Sequence, residues 1–109
     1  MRSERLVRVQ KPMKRISLDP YITDVLMRDL VGHDRMPSAY LVYLWLWRQT
    51  KGRRRATIGA SLTTIAGETG LSKSSVQNAV RWLVFRGLVR AKKTGPTEAP
   101  IYEVLETWS

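Results

Sequence analysis

The sequence predicts a mainly helical single domain with a small β-hairpin near its C-terminal end, and three observations carry that expectation. Four segments place apolar residues at helical spacing between capping and stop residues. Two of them meet inside TIAGETGLSKSSVQNAVRWL, separated only by a turn of small residues. After them, LVRAKK and IYEVLE alternate with period two on either side of the turn-forming TGPTEAP, the pattern of two paired strands. At 109 residues the chain is one domain by length. A chain of this size buries roughly 60–70% of its unfolded surface without a metal or disulfide.

Taken in order, residues 1–18 read as a basic N-terminal arm holding Arg2, Arg5, Arg8, Lys11, Lys14 and Arg15. This arm can act as a polyanion contact, as a solvated tail, or through LVRV as an edge strand. Asp19 before Pro20 marks a helix start, with Ile22, Val25, Leu26 and Leu30 forming the apolar face as far as about Val31. Gly32 is its expected stop. A second helix runs from near Pro37 to about Thr50, with Gly52 as the stop. It is apolar nearly all round, through Tyr40, Leu41, Tyr43, Leu44, Trp45 and Trp47. Two arrangements satisfy that pattern: a central core helix, or a face shared with a second copy through Tyr40, Tyr43 and Trp47.

The connector KGRRRATIGA is basic and ends in a short extended segment at about 56–59. Ser61 caps a third helix, Leu62 to about Thr69, with Leu62, Ile65 and Ala66 inward. Gly70 supplies a left-handed turn, Leu71 packs inward, and Ser72 caps a fourth helix that runs to Arg86 and stops at Gly87.

Charge is the strongest compositional signal. Nineteen Lys and Arg against nine Asp and Glu give a net charge of +10, which favours polyanionic partners. Residues 48–55 and 73–93 contain basic residues and no acid, whereas Asp19, Asp24, Asp29 and Asp34 fall in the first helical segment. Such segregation predicts one basic face. No cysteine is present, so thiol nucleophiles and Cys-based zinc sites are excluded. His33 is the only histidine, which leaves a metal site or a His-based triad without a second member. No phosphate-binding Gly-rich loop, G-x-S-x-G or H-E-x-x-H occurs, so neither an enzyme nor a cofactor is expected. The longest apolar run, Tyr40 to Trp47, is too short to cross a bilayer and no secretory leader is evident, which predicts a cytoplasmic protein without membrane contact.

Two helices crossing closely need a small residue on the first, a residue tolerant of positive φ between them, and a branched apolar residue on the second. Ala66, Gly70 and Val76 supply these as A-x3-G-x5-V, beside Ile65 and Leu71. With the hairpin following directly, SLTTIAGETGLSKSSVQNAVRWLVFRGLV resembles the winged helix-turn-helix DNA-binding domains of GntR- and MarR-type bacterial regulators over residues 55–105. The resemblance implies an α+β fold with a β-hairpin wing, preceded here by two extra helices within 19–50. It also implies a bacterial transcriptional regulator that binds double-stranded DNA sequence-specifically, with residues 72–86 in the major groove and the wing on the backbone or in the minor groove. Such proteins commonly act as dimers. The same module also serves plasmid or phage replication-initiation and partition proteins, and protein–protein interaction modules.

In the fourth helix Val76, Ala79, Val80 and Leu83 face inward, leaving Lys73, Ser74, Ser75, Gln77, Asn78 and Arg81 outward. All six can donate hydrogen bonds; Gln and Asn suit adenine, Arg and Lys suit guanine or phosphate. The wing adds Arg90, Lys92 and Lys93, and the connector Arg53, Arg54 and Arg55, as backbone contacts. In one respect the sequence departs from the family. Trp82, Val84 and Phe85 stand where charged residues are usual; packing against the apolar second helix is the expectation for them, with an exposed partner surface as the alternative.

Overall fold

In a computed structural model, which describes residues 15–108, Asp19 opens the first helix as its place before Pro20 predicts. Its carboxylate accepts from the Tyr21 amide and its carbonyl from the Ile22 amide, both at 2.9 Å. The N-terminal helix occupies residues 20–33 and is widened into π-helix over Ile22–Leu26 and Arg28–His33, with i→i+5 bonds such as Asp34 N to Asp29 O at 2.7 Å. Ile22, Leu26 and Leu30 form its buried side, with Val25 partly exposed.

Helix α1 follows over Pro37–Gln49, with proline in its first turn. Most of its apolar surface is covered by the chain itself. Tyr40, Tyr43 and Trp47 are all buried. The Tyr40 hydroxyl donates to Ile22 O at 2.9 Å, the Tyr43 hydroxyl to Leu105 O at 3.4 Å, and the Trp47 indole to Ser17 O at 2.8 Å. Of the two arrangements that the sequence allows, the three rings take that of a central core helix: within the chain they are committed to the interior. Of the large apolar residues on this helix, Leu41 alone is exposed.

A short 3₁₀ turn, Lys51–Arg53, leads to strand β1, Ile58–Gly59. Helix α2 spans Leu62–Thr69 and helix α3 spans Lys73–Phe85. Both N-termini are capped by serine, with Ser61 Oγ accepting from Thr64 N and Ser72 Oγ from Ser75 N, each at 3.1 Å. Between them Gly70 adopts φ +82°, and its amide closes on Ala66 O at 2.9 Å. Ile65 and Val76 are fully buried in the angle between the two helices.

Strands β2 (Val89–Lys92) and β3 (Ile101–Val104) pair antiparallel, with Arg90 opposite Glu103 and Ala91 opposite Tyr102. The sheet has three strands, because β1 also pairs with β3 through Ile58 and Tyr102. The protein is thus mainly helical with a small three-stranded antiparallel sheet in the order β1-β3-β2. Buried side chains from the N-terminal helix, α1, α3 and β3 form one cluster.

Three local expectations are corrected. Gly32 does not stop its helix, which continues to His33, and Gly52 lies inside the 3₁₀ turn. The left-handed positions beside them belong to Arg35 and Arg54, both at φ +57°. Finally, Trp82 is half-buried, but Val84 and Phe85 do not pack on α1: they are 44% and 76% exposed.

Candidate nucleic-acid interface

Helix α3 is amphipathic through its first turns, and its burial divides the outer residues by role. Val76, Ala79 and Leu83 are buried and Val80 half-buried, fixing the opposite side toward solvent. Lys73, Ser74, Gln77, Asn78 and Arg81 are exposed there. Ser75 is half-buried, and its hydroxyl and amide both bond Ser72 Oγ. It takes part in the helix cap. Asn78 Oδ1 accepts from Arg81 Nη1 at 3.4 Å, so the two side chains sit side by side one turn apart.

Register brings the hairpin up beside this helix. Residues 93–100 form its loop, closed at the tip by Glu98 N to Gly95 O at 3.3 Å. A groove of about 290 Å³ runs between α3 and the hairpin, bordered by Gln77 and Arg81 on one side and Lys92 and Lys93 on the other, with Val80, Ala91 and Tyr102 among its floor residues. A second hollow of about 370 Å³ shares Leu62, Lys93 and Pro100 with it and brings Lys73 and Lys93 together with Glu98 and with Ser61 and Thr63 at the start of α2. Residues at the N-terminal ends of both α2 and α3 thus line this hollow. Among the described residues, Lys73, Lys92 and Lys93 have no ion-pair partner.

The other predicted cations are placed differently. Arg90 lies opposite Glu103 and pairs with it at 2.5 Å, so its charge is compensated on the sheet. Arg53 borders a separate hollow of about 170 Å³ with Trp45, Gln49 and Glu68. Arg54 and Arg55 are exposed in the connector. Arg15 is exposed, while Arg2, Arg5, Arg8, Lys11 and Lys14 lie outside the described residues.

A buried anchor sets the angle of α3. Asp34, directly after the N-terminal helix, has a side chain only 4% exposed. Its Oδ2 accepts from the Trp82 indole at 2.8 Å and from Arg86 Nη1, and its Oδ1 accepts from His33 Nδ1 at 2.9 Å. Burial alone would raise its pKa, but the bonds from His33 and Trp82 and the charge of Arg86 outweigh burial and hold it below the usual carboxylate value. The far end of α3 is pinned by a charged, hydrogen-bonded post, while its first turns are held by the buried Val76 and Ala79 and keep their outer side exposed. The sequence places Asp34 only among the acids of the first helical segment, because its partners Trp82 and Arg86 are about fifty residues away in sequence.

Among the described residues no cluster of His, Cys, Asp or Glu suits a metal ion, and no helix is long and apolar enough to cross a membrane. No family model, curated protein or solved structure matches the chain.

Proposed function

We propose that this chain is a winged helix-turn-helix protein that binds double-stranded DNA sequence-specifically, as a transcriptional regulator, with α3 in the major groove and the β2–β3 hairpin as the wing. The observation that carries the reading is the acid-free groove between α3 and the hairpin, where Gln77 and Arg81 face Lys92 and Lys93. The order of elements supports it: a helix, a short strand, two helices joined at Gly70, then a hairpin whose second strand pairs with the first strand. Exposed donors on the first turns of α3 suit base edges, and the lysines of the hairpin suit phosphates. The net charge of +10 supplies long-range attraction to the duplex.

Fluorescence anisotropy with random-sequence duplex across a salt series tests the reading. Binding that weakens steeply as salt rises is expected, and absence of duplex binding at low salt rejects it. Selection of bound duplexes from a random pool then separates readers from backbone contacts. Gln77→Ala and Asn78→Ala should change the selected sequence, whereas Lys92→Gln and Lys93→Gln should weaken all duplexes alike.

A further inference from the structure

Phe85 is the most exposed large apolar side chain among the described residues, at 76%. It does not stand alone. Ser74, Asn78, Arg81 and Phe85 follow one another at steps of four, three and four along α3, so they share one stripe, and all four are exposed. Long helical side chains lean toward the N-terminus, which carries the Phe85 ring back over the turn of Arg81. Behind it, the Trp82 ring lies 5.2 Å away and is itself held by Asp34. A braced, solvent-facing aromatic therefore extends the face that bears Asn78 and Arg81. Val84, 44% exposed, stands next to it.

An apolar end on a face of hydrogen-bond donors needs an apolar complement within the same partner. In the major groove the base edges offer one such group, the C5-methyl of thymine. Asn78 on the same stripe suits adenine, whose pairing partner is thymine. Asn78 and Phe85 are seven residues apart, about 10 Å along the helix axis and hence about three base steps for a helix lying along the groove.

We propose that α3 selects A·T-containing duplexes by packing Phe85, flanked by Val84, against thymine methyl groups while Asn78 pairs with adenine. This inference rests on the duplex-binding reading above. The positive charge beside the stripe favours a nucleic acid over an apolar protein surface as its occupant.

The test compares a duplex of alternating dA and dT with the same duplex carrying dU for dT, which removes only the methyl groups, at one fixed salt concentration. Wild-type protein should bind the dU duplex about fourfold more weakly per buried methyl. Phe85→Ala should bind both duplexes equally, at about the wild-type level for dU, with an unchanged circular dichroism spectrum because the residue is exposed. Lys92→Gln should weaken both duplexes and retain the preference for dT. Equal binding of both duplexes by wild type, or a full dT preference in Phe85→Ala, overturns the methyl contact and leaves duplex binding standing. Loss of self-association in Phe85→Ala with the dT preference intact also overturns it, since the patch then serves a protein contact. No binding to either duplex overturns both proposals.

Discussion

At the scale of single residues, Asp34 shows how one buried carboxylate fixes the pose of the candidate reading helix. Its folded pKa is depressed, so the stability it contributes is present above its unfolded value, about 3.9, and is lost as pH falls through the folded value. Asp34→Asn should lower stability by about 1–2 kcal/mol at neutral pH, with the difference shrinking in acid; urea denaturation at several pH values measures it. A constant difference down to strong acid would contradict the depressed pKa. Tyr43 gives the opposite case. Burial first, then the charges of Glu106 and Asp19, push its hydroxyl well above the usual tyrosine value, so it remains a neutral donor to Leu105 O under ordinary conditions. Arg90 illustrates how a cation legible in sequence changes meaning in the structure. Because Glu103 already neutralises it, Arg90→Gln should alter duplex affinity less than Lys92→Gln does, as read by anisotropy at equal salt.

At the scale of elements, α3 is two things along one axis, and neighbouring substitutions should separate them. Leu83 is fully buried, so Leu83→Ala should cost about 2–5 kcal/mol. Phe85→Ala, two residues on, should stay within about 0.5 kcal/mol. Thermal denaturation of the two variants is the measurement. In the turn before α3, a Cβ on Gly70 meets nothing within 4 Å, so Gly70→Ala is expected to cost about 1 kcal/mol through its φ of +82° alone. The caps at Ser61 and Ser72, the turn at Gly70 and the two strands were legible because each depends on residues close in sequence. The exposure of Phe85 stood in the sequence only as the alternative to burial, because its apolar character argued for packing against the second helix. Gly32 and Gly52 misled for a related reason. Glycine permits a left-handed turn, but which residue occupies it is decided by where the helices must end, and here those positions fell to Arg35 and Arg54. The widening of the N-terminal helix into π turns has no signature in ITDVLMRDLVGH that we can identify.

At the scale of the whole molecule, charge and core occupy different parts of one chain. Helix α1 is sheathed by the N-terminal helix, α3 and β3, which explains why a helix so apolar in sequence leaves little of itself outside. Lys73, Lys92 and Lys93, which have no ion-pair partner among the described residues, gather with Arg81 on the α3–hairpin side. Four phosphate contacts, from Lys73, Arg81, Lys92 and Lys93, predict a log–log salt slope of about −3.6, and contributions from Arg53, Arg54 and Arg55 would steepen it toward about −6. The slope therefore reports whether the connector takes part. Arg54 carries a consequence of its own. A glycine at this position would relax about 1 kcal/mol of left-handed backbone strain, partly offset by a looser unfolded chain, so Arg54→Gly is an obvious choice for anyone seeking a hardier domain. The same exchange removes a positive charge from the connector. At this one residue, engineering for heat resistance and engineering for tighter binding call for opposite substitutions.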